Sequence, residues 1–180
     1  VAWVGRLTRT GLQQVGRNTR FLMATGKSMA DVRTWGPFVS LHLRRLGVDS
    51  MPLAIFIALF TGVVLALLAS YSLTGAVPPY FVGSLVEKTI TMELAPVLTG
   101  LALAGRVGAS IAAEVGTMRV TEQIDALETL AYHPLAYLVV PRVLAGVIMF
   151  PIVVAAAMLC GIGSGWVGST SLLDIPSSEF

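Results

Sequence analysis

Charged residues vanish from positions 50–86 and again from 143–173. A run of about 18 or more apolar residues is long enough to cross a bilayer as a helix. The apolar pattern predicts three spans, over 51–71, 93–116 and 142–168. Helices are the form expected, because they satisfy their own backbone hydrogen bonds in lipid. Pro52 suits the first turn of the first span. Pro151 inside the third predicts a kink, since it removes a backbone bond and crowds the preceding turn.

Two polar segments interrupt the pattern. Over 121–132, at about 100° per residue, Val120, Ile124, Leu127, Leu130 and Ala131 gather on one side, and Glu122, Asp125 and Glu128 on the other. This predicts a short amphipathic helix with Thr121 as N-cap and Glu122 favoured in the first turn by the helix dipole. Pro134 marks its end, and His133 sits by its C-terminal dipole. Near the N-terminus, Trp3, Val4, Leu7, Leu12 and Val15 interleave with Arg6, Arg9, Arg17 and Arg20. That is the pattern of a basic amphipathic helix lying on an anionic leaflet. Gly36-Pro37 is expected to break the chain before "FVSLHLRRLG" leads into the membrane. The expected division is an interfacial segment over 1–48 and a transmembrane domain over 49–180. The fold class is all-α: a polytopic membrane bundle with an N-terminal interfacial helix, three spans and a short cytoplasmic helix.

Composition strengthens the membrane reading. Of 180 residues, 55% are hydrophobic and 12% charged, against about 25% charged in soluble domains. The net charge of +2 is too small to suggest nucleic acid. Cys160 is the lone cysteine, which excludes a disulfide framework and a cysteine metal site. His42 and His133 have no metal-ligand spacing. The first 48 residues hold no apolar stretch followed by a small-residue cleavage site, so they do not read as a signal peptide.

Charge also gives an orientation. Arg6, Arg9, Arg17, Arg20, Lys27, Arg33, Arg44 and Arg45 precede the first span, while 72–92 contains only Lys88. By the positive-inside rule the N-terminal segment is cytoplasmic. The 72–92 connection and the C-terminal end are then outside, and the acidic segment is inside. With only Arg119 and Arg142 as its basic residues, that segment suits a partner bearing basic residues.

Several motifs carry less than they promise. "TGKS" at 25–28 lacks the upstream glycine of a phosphate loop, having Phe21 in its place. "GSGWVG" at 163–168 ends a span and does not sit in a strand–turn–helix unit, so small residues for helix packing explain it better than a dinucleotide site. Gly100, Ala104, Gly108, Ala112 and Gly116 recur every four residues on one face of the second span. They predict a groove where another helix approaches closely. Glu93, Arg106 and Glu114 are charges within that span, and such charges face protein or water. Arg106 and Glu114, eight residues apart, do not form a direct pair. Arg106 either bonds carbonyls or another helix, or serves a substrate. Glu93 either lines an outward cavity or is an acid favoured at a helix start.

The stretch "ELAPVLTGLALAGRVGASIAAEVGTMRVTEQIDALETLAYHPLAYLVVPRVLAG", 93–146, resembles the MlaE-type permease family of ABC lipid transporters. "LGVDSMPLAIFIALFTGVVLAL", 46–67, resembles the lead-in and first span of the same family, and the likeness covers roughly 40–165. It implies a multi-pass permease of the bacterial inner membrane that moves phospholipid or a related lipid. It implies that the cytoplasmic helix, through Thr121, Glu122, Gln123, Asp125 and Glu128, couples to a separate ABC ATPase. ATP is then bound by that partner, and no cofactor or metal is expected on this chain. The resemblance further implies a second permease copy, an MCE-domain lipid-binding partner outside, and further spans beyond the third, so the chain is expected to be C-terminally incomplete. Glu93 and Arg106 become candidates for the lipid path. The alternative is a membrane-embedded scaffold without its own path. An intramembrane enzyme would need a nucleophile–base pair or metal ligands in the spans, and the sequence offers neither.

Overall fold

The computed structural model describes residues 2–73, 80–132 and 134–172. Its helices are α1 (Ala2–Ser28), α2 (Val32–Leu46), α3 (Met51–Leu73), α4 (Tyr80–Thr89), α5 (Ala95–Val120), α6 (Gln123–Thr129) and α7 (Val140–Leu172). A 3-10 turn, Val48–Ser50, joins α2 to α3, and π-helical turns, Ile90–Leu94 and Leu135–Val139, lead into α5 and α7. Among the described residues there is no strand, so the all-α expectation holds. Three stretches are long and apolar enough to span a membrane: Trp35–Tyr71, Gly83–Val120 and Leu135–Ser171.

These stretches are longer than the apolar runs alone indicate. The 72–92 connection is expected to be a loop, yet residues 80–94 are helical and feed straight into α5. The reason is packing, since Val86 and Ile90 are buried against Ala66 and Ala69 of α3. Gly36-Pro37 does not break the chain either, because α2 runs through both. Nor does α2 lie apart on the surface with the rest of 1–48. It packs along α7, where Leu46 joins Val107 and Ala145 in one cluster, and Phe38 meets Tyr137 edge-on at 4.7 Å. In α1, Leu12 and Val15 are exposed, and so are Arg17 and Arg20. The side chains of Trp3, Val4 and Leu7 lie outside the described ones. Pro151 sits inside α7, which continues to Leu172.

The interior is small and the exterior large. Ala54, Ala58, Ala66, Ala69, Ala145 and Ala157 are buried, while Phe56, Phe60, Leu101, Val147 and Leu159 are exposed. Water would expel such a surface, whereas lipid solvates it. With no hydrophobic drive between helices in lipid, close backbone approach through small residues supplies the packing energy.

The closest approach joins α3 and α7, the most extensive helix pair. A Cβ added to Gly62 would lie 2.1 Å from the Gly161 carbonyl oxygen and 2.2 Å from Ser164 Oγ. Gly168 lies on the same seam, where an added Cβ would be 3.5 Å from Val63 Cγ1, an ordinary contact. Two residues of "GSGWVG", Ser164 and Gly168, therefore do pack helices.

This seam yields a direct test. Gly62→Ala should destabilise the bundle by about 1–3 kcal/mol through overpacking. Gly105→Ala, whose Cβ meets nothing within 4 Å, should be neutral or slightly stabilising. Unfolding by SDS titration measures both, and equal effects would contradict the seam.

Candidate functional site

The acidic segment folds as a seven-residue helix, α6, hung between α5 and the turn before α7. Thr121 does not cap it. Thr121 ends α5 instead, its Oγ1 donating to the Thr117 carbonyl at 2.8 Å. The N-cap of α6 is Glu122, with a left-handed φ of 57°, and Ala131 beyond its other end has φ 58°. Such non-glycine residues cost about 1–3 kcal/mol each, so the helix is aimed by two strained corners. The cap falls one residue later than the capping pattern suggests, and α5 runs four residues past the predicted span end at Gly116. His133 lies outside the described residues.

Ile124 and Leu127 are half-buried, while Leu130 and Val120 remain exposed. Glu122, Gln123, Asp125 and Glu128 all face outward. The acidic face is less free than its sequence suggests, because Arg119 Nη1 donates to Asp125 Oδ1 at 2.7 Å. Both groups are exposed, so the pair contributes under about 1 kcal/mol. Glu122 and Glu128 have no ion-pair partner among the described residues.

Where the N-terminal lead-in meets the bundle, three helices converge on one carboxylate. Glu114 of α5 pairs with Arg142 of α7 at 3.0 Å and with Arg45 of α2 at 3.3 Å. Arg142 is 7% exposed, and its Nη1 also donates to the Leu138 carbonyl. Beside them Arg106 donates from Nη1 to Ser50 Oγ, a fully buried hydroxyl at the start of α3. Of the readings left open for Arg106, bonding to another element is what the structure shows. The pairing of Glu114 was missed. Its signal was that Arg45, Glu114 and Arg142 all lie at the same predicted end of their spans.

Glu93 stands elsewhere. It lies exposed in the π-helical turn before α5. Thirteen residues separate it from Arg106, roughly 20 Å along a helix. The structure therefore does not bring these two candidate path residues into one site. Gly100, Ala104, Gly108, Ala112 and Gly116 are all exposed, and a Cβ at Gly100, Gly108 or Gly116 would meet nothing within 4 Å. Within this chain α5 packs through Thr99, Leu103 and Val107 instead. The small-residue face is therefore open, and no helix among the described residues packs on it. Among the described residues no group of His, Cys, Asp and Glu is placed to hold a metal.

Comparison with known proteins bears on this architecture. The family described as Permease MlaE matches residues 39–180. A probable ABC transporter permease protein of Rickettsia felis is 38% identical over 177 residues, covering 98% of this chain and 68% of its own length. A probable ABC transporter permease protein of Synechocystis is 41% identical over 139 residues, 77% of this chain and 53% of its own. The intermembrane phospholipid transport system permease protein MlaE of Haemophilus influenzae is 30% identical over 180 residues, 100% of this chain and 69% of its own. A helical, membrane-spanning bundle with a short acidic helix between its second and third spans, matched along nearly its whole length by such relatives, belongs to the MlaE permease family.

Proposed function

We propose that this chain is the membrane-embedded permease subunit of an ABC transporter that moves phospholipid or a related lipid. The observation that carries the reading is α6, a short helix aimed by two strained corners whose Glu122 and Glu128 stand exposed and without an ion-pair partner among the described residues. A separate ATPase docks there and drives the bundle through α6, with ATP bound on the ATPase. Glu122 and Glu128 make the contacts, together with Gln123, while Asp125 is shared with Arg119. The exposed small-residue face of α5 receives a second copy of the chain. Glu93, at the opposite end, faces the lipid path and an MCE-domain partner. The N-terminal segment and α6 are cytoplasmic, in a bacterial inner membrane. A scaffold without its own path would leave α6 and Glu93 without consequence for transport.

Orientation is checked by single cysteines at 77 and 125, with Cys160 replaced. In intact cells an impermeant maleimide should label Val77→Cys and spare Asp125→Cys. Labelling of 125 but not 77 would overturn the orientation and the coupling role with it.

Coupling is checked by reversing the free charges, Glu122→Lys with Glu128→Lys. Charge-assisted contacts contribute about 1.5–3 kcal/mol each, so ATPase retention should fall roughly tenfold or more. The permease should still insert and fold. In the same transport assay Glu93→Gln should lower lipid movement and leave assembly and basal hydrolysis intact. Unchanged retention and unchanged transport would favour the scaffold.

A further inference from the structure

Beneath the Glu114 junction α2, α5 and α7 enclose a cavity of about 60 Å³. One water needs roughly 10–15 Å³ of such volume, so this space is large enough for one tetrahedral phosphate. Arg45, Arg106 and Arg142 line it against a single carboxylate, Glu114. Glu114 is already shared between Arg45 and Arg142, so positive charge is left over.

His42 also lines this cavity and is 9% exposed. Its Nδ1 donates to the Phe38 carbonyl at 2.9 Å. Its Nε2 is buried without a hydrogen-bond partner, and so is Nε of Arg142. Buried polar atoms are nearly always paired, and each exception calls for a reason. In the imidazolium form Nε2 donates, as does the arginine Nε. An orphaned guanidinium N–H and an excess of guanidinium around one small space are what an anion would satisfy.

A second observation specifies the anion. An apolar groove of about 430 Å³ adjoins this cavity and shares Leu46, Val107, Ile111 and Arg142 with it. Its remaining wall includes Val143, Val147, Phe150 and Pro151 of α7. Small-ligand sites fall at about 300–1,000 Å³. A soluble anion would fill the charged end and ignore the groove. A helix would fill the groove and leave the cations unmatched. A phospholipid, with a phosphate joined to an acyl chain, matches both.

We propose that this depression binds one membrane phospholipid, its phosphate held by Arg106, Arg142 and His42 and one acyl chain lying along the α7 groove. The choice of ligand rests on the lipid-permease reading. The site is distinct from the Glu93 end of the bundle. It gives the permease a lipid contact in the leaflet beside α6, where docking of an ATPase can reach it through Glu114.

The test titrates the delipidated full chain in dodecyl maltoside and reads bound lipid by native mass spectrometry. The probes are dioctanoyl phosphatidylglycerol, dioctanoylglycerol without phosphate, and inorganic phosphate. One phosphatidylglycerol should bind, with the other two probes far weaker. Arg106→Gln and His42→Leu should each weaken it roughly tenfold or more, the worth of a charge-assisted bond. Val147→Trp, at an exposed groove position, should weaken it likewise without touching the charged end, and remains informative if the other variants fail to fold. Equal binding of dioctanoylglycerol would mean apolar adsorption only, and equal binding of inorganic phosphate an ion site only. Either result, or wild-type affinity in all variants, overturns the site. Transport by the wild-type complex is followed in parallel. Transport without this binding defeats the site alone, whereas a complex that retains its ATPase and moves no lipid defeats the permease reading.

Discussion

A guanidinium that is 7% exposed in a membrane protein must have a counter-charge, and for Arg142 that counter-charge is Glu114. Charges at this depth are expensive, and removing one member of a buried pair costs about 3–5 kcal/mol because the other is stranded. Glu114 is 38% exposed, so part of its own charge is still solvated. The second arm, to Arg45, draws in α2. One carboxylate therefore sets the height of α5 against α2 and α7. Leu46, Val107 and Ala145 then meet at one level, Arg106 reaches Ser50, and α6 leaves the end of α5 in a defined direction.

Away from this junction the bundle is held by fit. Alanine and glycine line the interior, and aromatic and branched residues face lipid. The α3–α7 seam at Gly62 and Gly161 leaves no room for a methyl group. The close-packed α3–α7 seam thus contrasts with the small-residue face of α5, which is exposed.

Much of this was legible in the chain. The three spans showed as charge-free runs because lipid tolerates little else, and their helical form followed from backbone bonding. Where each span ends was not legible. Residues 80–94 and α2 are helical because they dock on α3 and α7, and a window of hydropathy does not see its neighbour. The four-residue spacing of Gly100 to Gly116 identified a smooth face without saying which helix uses it. The close contact of Gly62 with Gly161 lies on two repeats of the same spacing, Ala54, Ala58, Gly62, Ala66 and Ser70 on α3 and Ala157, Gly161, Gly165 and Ser169 on α7, and spacing alone did not rank these above the α5 series. At the site, Glu122, Asp125 and Glu128 are exposed, but so are Val120, Leu130 and Ala131 from the apolar side of the wheel, and only Ile124 and Leu127 are half-buried. The left-handed turn at Glu122 moved Thr121 onto α5, and Arg119 took Asp125. The Glu114 junction joins positions 45, 114 and 142, a relation that only the folded chain makes.

The central claim is that Glu114 and Arg142 act as one unit holding α5 to α7. A double-mutant cycle with Glu114→Ala, Arg142→Ala and both together, followed by SDS-titrated unfolding of the full chain, measures it directly. Coupled neighbours show interaction energies of about 0.5–3 kcal/mol. The account predicts that each single variant is strongly destabilised and that the double variant loses at least about 1 kcal/mol less than their sum, a coupling within that range. Additive losses would show that the two side chains stabilise the bundle independently and would contradict it.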